Sequence, residues 1–444
     1  MFDTIKELIE EQKYVQLKKE IIKLDEADIA ELLEGLNNEN LIKIFRLLPK
    51  DIAAETFSFL DVDVQQTIIN SLTATEAASI IDNMFADDAT DLIEEMPSNV
   101  VKKILAKTTS ETRKDINLLL NYKEDSAGSI MTIEFLDIKS DYTISKAIER
   151  IRRIGIDKET LDFCYVLDNK RRLLGTLSLK QIILSPSDKL VADIMEIDPI
   201  SVTTSTDQEE VALLFQKYDI TVMPVVDSEN RLVGIITIDD VVDIMQEETT
   251  EDIEKMAAIT PSDKPYMRTG VFETWKKRIP WLLILMISAT FTGKIIQSFE
   301  SGLAACVILT SFIPMLMDTG GNAGGQASVT IIRGLSLNEI DFKDILRIIW
   351  KEFRVALLIG LTLAVCNFAK LLIIDGVNTN VALVVCFTLV LTVVIAKVVG
   401  CSLPLAAKKV GFDPAVMASP FITTIVDALS LVVYFQLAKM ILNI

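Results

Sequence analysis

The residue in this sequence best placed to do chemistry is Asp427. It lies in a long apolar run, and a helix beginning at Pro414 would carry it 13 residues inward. At 1.5 Å per residue that is about 20 Å, near the middle of a bilayer. A carboxylate at such depth costs about 2.5–3.5 kcal/mol and is normally retained for function. The competing reading is a buried ion pair, for which Lys397 and Lys370 are the candidate partners by depth. In a homodimer, a two-fold axis would bring two copies of Asp427 to one pore, which suits a divalent cation. A second constellation is PMLMDTGGNAGGQAS, residues 314–328, where glycines at 320, 321, 324 and 325 accompany Asn322 and Gln326. Glycines weaken a helix and let backbones approach closely, so this segment is expected to interrupt its span. The two amides share one helical face and offer oxygens to a passing ion. Tight helix packing is the plainer alternative for the glycines.

A third group is acidic and lies outside the apolar stretches. Asp240, Asp243, Glu247, Glu248, Glu251 and Asp252 recur every three or four residues, which crowds like charges on neighbouring helical faces. Acids at 239 and 240 also favour a helix start, a reading that leaves the later ones unexplained. Asp87 and Asp91, four apart, face outward by periodicity. The chain has no histidine, which removes Ser-His-Asp and Cys-His nucleophilic sites and every His-containing zinc site. Its five cysteines form no CxxC pair and read as small hydrophobes. A bound metal must therefore be held by oxygen, which points to magnesium or calcium. With no nucleophile constellation or Gly-rich phosphate loop, an enzyme is the least supported class.

The elements that must position these residues fall into three regions of different solvent. Residues 1–270 hold 53 Asp and Glu against 30 Lys and Arg, whereas 271–444 hold 10 against 14, within a net charge of −19. The acidic surface argues against nucleic acid. In residues 1–124, Leu24, Leu36, Leu48, Leu60, Leu72, Met84 and Met96 recur every 12 positions, each followed by a capping or turn residue. Twelve residues accommodate a short helix and its turn, so a stacked α-helical solenoid is expected. The extreme N-terminus reads as a charged amphipathic helix, not a signal peptide. Residues 125–247 are a tandem duplication: CYVLDNKRRLLGTLSLKQII (164–183) aligns with MPVVDSENRLVGIITIDDVV (223–242), placing Asp168 over Asp227 and Gly175 over Gly234. This pair resembles CBS domains, an α/β regulatory module that binds adenine nucleotides or ions and usually dimerises. Residues 248–270 form a connecting helix and linker, with a helix to about Ile259 ended by Pro261 and Pro265. From 271 to 444, five apolar stretches each meet the roughly 20-residue requirement for a span. Basic residues gather at 276–278, 333–354 and 408–409, so the first 275 residues are expected in the cytosol and the C-terminus outside the plasma membrane.

The run Gly320-Gly321-Asn322-x-Gly324-x-Gln326, with Asp413-Pro414-Ala415 and Pro420-Phe421-Ile422-Thr423-Thr424-x-x-Asp427, resembles the MgtE magnesium transporter family. The order solenoid, CBS pair, connecting helix and five-helix all-α bundle matches as well. The resemblance implies a multidomain membrane protein: a homodimeric, magnesium-selective pore with Asp427 at its ion site. Gly321, Asn322, Gln326, Pro420, Thr423 and Thr424 would line that pore. It further implies that Asp87, Asp91, Glu209, Asp219, Asp240, Asp243, Glu248, Glu251 and Asp252 hold regulatory Mg2+, and it leaves ATP as a candidate ligand of the CBS pair.

A mechanism follows from charge. Two carboxylates about 8 Å apart repel by roughly 2 kcal/mol at an effective dielectric of 20. Magnesium would relieve several such pairs and draw the sensor together, and its loss would release the gate. Two other classes compete: a cation- or proton-coupled carrier in which Asp427 is protonated during the cycle, and a membrane-anchored nucleotide sensor whose spans are scaffold.

Overall fold

The computed structural model describes residues 5, 7–9, 11–262, 266–267, 269–417 and 419–442. The chain divides into two units, Met1–Met245 and Gln246–Ile444.

The first unit begins with a helical ladder of strict period. Helices α1 (Tyr14–Ile21), α2 (Glu26–Glu34), α3 (Asn38–Phe45), α4 (Lys50–Ser58), α5 (Val62–Ser71), α6 (Ala74–Ile81), α7 (Ala86–Glu95), α8 (Ser98–Leu105) and α9 (Ser110–Leu119) start every twelfth residue. The caps set the step. Asp25, Asn37 and Thr109 accept backbone N–H groups at the entry of their helices, and Thr73 makes a reciprocal capping box with Glu76; such caps satisfy donors that a short helix would otherwise leave open. Pro49 and Pro97 stand at the same point of their units. Alternate helices stack, α2 on α4 on α6 on α8, around a continuous apolar core that includes Ile29, Leu33, Ile44, Phe57, Ile68 and Ile81.

Two sheets of equivalent topology follow. β1 (Asp137–Lys139) runs parallel to β2 (Phe163–Leu167), which pairs antiparallel with β3 (Leu173–Ser178); β4 (Glu196–Ile197) adds an edge. In the second copy, β5 (Val202–Thr203), β6 (Val222–Val226) and β7 (Leu232–Thr237) repeat this, and Gly175 opposite Val166 corresponds to Gly234 opposite Val225. Asp168 and Asp227 close identical turns, each accepting two backbone N–H groups from residues two and four ahead. Helices α10 (Ile144–Ile154), α11 (Leu179–Leu184) and α12 (Gln208–Tyr218) cover the sheets. Ala86 and Leu119 of the ladder are buried in the core of the second copy with Met131, Val211 and Phe215, so α7 is seated on it. The last helix of that copy, α13 (Ile238–Met256), continues unbroken through the whole acidic series.

The second unit is α-helical: α14 (Val271–Ser298), α15 (Glu300–Ala305), α16 (Ile313–Ser336), α17 (Ile345–Ile373), α18 (Thr379–Val410) and α19 (Ser419–Leu442). Helices α16, α17 and α19 all pack on α18. Among the described residues, four segments are long and apolar enough to cross a bilayer: Val271–Ser298, Phe342–Ile373, Thr379–Val410 and Pro414–Leu442. The glycine-rich α16 is not among them. It is nevertheless one unbroken α-helix, contrary to the interruption expected from its glycines. Packing explains the difference. A Cβ on Gly320 would stand 2.8 Å from both Thr392 and Val426, one on Gly324 would stand 2.6 Å from Ile422, and one on Gly400 would collide with the Gly324 carbonyl. The missing side chains bring helices together where their backbones nearly touch.

Candidate ion path and acidic sensor

Asp427 stands eight residues into α19, about 12 Å along it. A 3-10 turn, Pro414–Met417, precedes this helix, and within the apolar segment Pro414–Leu442 Asp427 stands near the middle. Its Oδ1 is buried and has no hydrogen-bond partner among the described residues. Both lysines that would neutralise it are engaged elsewhere: Lys370 Nζ with Asp375 at 2.9 Å, and Lys397 Nζ with Glu352 at 3.7 Å. Ser430 Oγ and the Thr392 methyl lie against Gly320, and the hydroxyls of both residues are buried without hydrogen-bond partners among the described residues.

On α16, Asp318, Asn322 and Gln326 are exposed and spaced four apart, a polar stripe on a helix whose other faces are covered. Gly321 is buried behind it, with Thr423 packed on it; a Cβ there would be 3.0 Å from the threonine methyl. Pro420 and Thr424 are half-buried on α19, and the Thr424 hydroxyl donates to the Pro420 carbonyl at 3.1 Å.

In the first unit, the structure gathers a set of carboxyls that periodicity does not reveal. Asp87 does not face outward. Its Oδ1 is buried without a hydrogen-bond partner among the described residues, as is Glu159 Oε2 from the loop before β2. Burial pushes the Asp87 carboxyl well above its usual range, with Asp88, Asp240 and Glu159 adding to the effect. Burial and the Asp240 and Asp239 charges raise Asp88 to about 6 and Glu159 to about 8. Asp240 is also raised to about 6, by burial first and by Asp239 and Asp243, against a hydrogen bond from Thr237 at 2.8 Å. Asp88 and Glu159 are functional candidates that no pattern in the sequence singles out. Asp91, Asp243 and Asp219 are exposed and Glu209 is half-buried. Among the described residues, no three carboxylates converge tightly enough to grip a bare metal ion. Orphaned buried oxygens surrounded by like charge nonetheless fit a cation that keeps its own water shell.

The distal acids of α13 are satisfied within the second unit. Lys255 Nζ lies 2.6 Å from Glu251 and 2.7 Å from Asp413, and Asp252 accepts a hydrogen bond from Ser336 at 3.0 Å. Burial alone would lower the Lys255 ammonium, but the bonds to Asp413 and Glu251 outweigh it and leave it raised. Met256 packs beside Ile332 and Ala415. Glu248, one turn earlier, is half-buried.

Comparison with known proteins bears on all these parts. The divalent cation transporter profile of MgtE matches residues 313–437, the MgtE intracellular N domain matches 24–125, and a CBS domain matches 191–247. The magnesium transporter MgtE of Thermus thermophilus is 41% identical over 75% of this chain and 73% of its own. The chain belongs to the MgtE family. The MgtE magnesium transporter of Bacillus subtilis is 37% identical over the same shares. Among solved structures, the cytosolic domain of the Mg2+ channel MgtE in complex with ATP aligns at a TM-score of 0.53 and 34% identity, covering 55% of this chain and all of that one. The soluble part of a magnesium transporter aligns at 0.53 and 28% identity, covering 56% and 97%. Both copies of the MgtE-type CBS pair share one topology here, although the family match covers the second alone.

Proposed function

We propose that this MgtE family member is a magnesium channel that works as a homodimer, with five spans per subunit, and that cytosolic Mg2+ closes it. The observation that carries the reading is Asp427: a buried carboxylate oxygen without a hydrogen-bond partner among the described residues, while Lys370 and Lys397 are paired with other acids. A scaffold helix would neutralise such a group, whereas an ion path has a use for it. The stripe of Asn322 and Gln326 supports a two-fold assembly in which α16 and α19 of both subunits line the path, with Gly321, Pro420, Thr423 and Thr424 shaping its walls. Counting α16 as the fifth span puts the basic clusters on one side, with the N-terminal domains in the cytosol and the C-terminus outside.

In the sensor, Asp87, Asp88, Glu159 and Asp240 would hold Mg2+ through its waters. Asp91, Glu209, Asp219, Asp243, Glu248, Glu251 and Asp252 offer further carboxylates for regulatory ions. Neutralising the buried set favours the docked arrangement, and withdrawing Mg2+ restores repulsion and opens the gate. Magnesium uptake into proteoliposomes tests the pore. Asp427→Asn is expected to abolish uptake while binding of Mg2+ to the sensor persists; uptake at the wild-type rate would make the spans a scaffold. Current without a coupled gradient separates a channel from a proton-coupled carrier.

A second reading concerns the CBS pair. Two adjoining cavities of about 630 Å³ each share Phe163, Ser178, Lys180 and Leu184. A ring, a cation and hydroxyl donors suit an adenine nucleotide, and ATP is the ligand we propose there, in keeping with the ATP complex of the related cytosolic domain.

A further inference from the structure

Charges are scarce inside the helical bundle of the second unit, and among the described residues one buried pair touches neither the proposed ion path nor the sensor. Lys397 on α18 is 5% exposed. Its ammonium lies 3.7 Å from Glu352 on α17, and the two side chains retain 7% and 13% of their surface. A buried ion pair is a weak source of stability, because removing two charges from water offsets their attraction. In a bilayer the same pair is costlier still and marks function. The neighbouring cations of α17, Lys351 and Arg354, are exposed.

The surroundings of the pair say what it acts on. One turn beyond Glu352 is Ala356, and beside Lys397 is Ala396. Both are completely buried in a core shared with Ala323 of α16 and with Ile422 and Val426 of α19. Ala323 is adjacent to Asn322, and Val426 is adjacent to Asp427. The Ala396 carbonyl would lie 3.2 Å from a Cβ on Gly324, and Gly400, one turn past Lys397, meets the Gly324 backbone directly. A contact between backbones has no side chain to absorb a shift. Rotation or sliding of α18 would therefore pass straight to α16 and to its amides.

We propose that Lys397 and Glu352 are positioning residues of the ion path. Their pair fixes the depth and rotation of α18 on α17, and through the Ala396–Gly324–Gly400 contact it sets where Asn322 and Gln326 stand relative to Asp427. The inference rests on the reading of Asp427 as a pore residue. It predicts a directional interaction: opposite charges at these two positions matter, and their order does not.

The test measures Mg2+ uptake by the full chain in proteoliposomes, per correctly assembled molecule counted by size-exclusion chromatography. Lys397→Met and Glu352→Gln are each expected to raise the KM for Mg2+ at least about fivefold, within the range of coupling between contacting groups. The exchanged pair Lys397→Glu/Glu352→Lys is expected to recover KM to within about twofold. If the single variants do not assemble, the apolar pair Lys397→Met/Glu352→Met keeps the question open to measurement, since such replacements commonly fold. A wild-type KM in that apolar pair, or in assembled single variants, overturns the proposal. Asp427→Ala in parallel separates the two ideas: unimpaired uptake by it sinks the pore reading itself, whatever the ion pair does.

Discussion

Lys255 and Asp413 meet at 2.7 Å, so an ammonium on the connecting helix neutralises an acid at the foot of α19. The same ammonium holds Glu251 at 2.6 Å. Around one lysine, the structure thus builds in cationic form the neutralisation that Mg2+ would otherwise have to supply. A half-exposed pair contributes about 1 kcal/mol or less, ~fivefold in an equilibrium constant. Lys255→Met leaves Glu251, Asp252 and Asp413 facing one another. If cytosolic Mg2+ closes the protein as proposed, the midpoint for closure, read from channel open probability, is expected to rise about fivefold. An unchanged midpoint would mean the seat of this helix does not contribute to closure.

The contact of Gly400 with the Gly324 carbonyl gives a second prediction. A methyl at 400 meets backbone, which cannot swing aside, and overpacking of this kind costs about 1–3 kcal/mol or more. Gly400→Ala is expected to lower the melting temperature of the detergent-purified protein and to abolish uptake. Gly35→Ala is the control: its Cβ would sit at an ordinary 3.6 Å from the Leu32 carbonyl, at φ −75°. It is expected to be neutral or slightly stabilising. Equal losses in both would show that glycine content, not this crossing, is what matters.

The cavity of the first CBS copy yields a third. Lys180 is the cation among its lining residues, with Phe163 supplying an aromatic face. Lys180→Ala is expected to weaken ATP binding by about tenfold or more, the loss of one charge-assisted bond to phosphate. Isothermal titration against the full-length protein measures it. Binding at wild-type strength would move the nucleotide elsewhere or remove it from the account.

Some of this architecture is legible in sequence, for physical reasons that also mark where it fails. The ladder is readable because the helix entries repeat every 12 residues and several carry caps or prolines, with Asp25, Asn37, Thr73 and Thr109 capping and Pro49 and Pro97 at the same point. The duplication is readable because Asp168 and Asp227 close the same turn and Gly175 and Gly234 the same strand pairing. The glycines of α16 mislead because propensity measured in water ranks them as breakers, whereas between packed helices the missing Cβ is what the helix needs. Asp87 misleads because periodicity on an isolated ladder cannot register that its neighbour Ala86 is buried in the CBS core. Glu159 carries no pattern at all. It is a lone acid in a loop, and only the fold brings it near Asp88 and Asp240.

That buried carboxyl set makes docking of α7 on the CBS pair depend on pH, and the sign is fixed. Asp88 and Asp240 are raised to about 6 and Glu159 to about 8, burial being the first cause in each. A group whose pKa is higher in the docked form binds its proton more tightly there, so protonation favours docking. The benefit is complete below the ordinary values of 3.8 and 4.5, is lost for Asp88 and Asp240 by about pH 6, and is lost for Glu159 by about pH 8. Without divalent ions, the melting temperature of the full-length protein is therefore expected to fall between about pH 4 and about pH 8.5, a range that spans both transitions. Millimolar Mg2+ should flatten that fall, because the ion supplies at high pH what protons supply at low pH. Glu159→Gln should remove the upper part of the decline in EDTA and at the same time shrink the stabilisation by Mg2+. A pH profile in Glu159→Gln identical to the wild type would show that this carboxyl is ionised in the docked form, and the account of a proton- and magnesium-relieved cluster would fail with it.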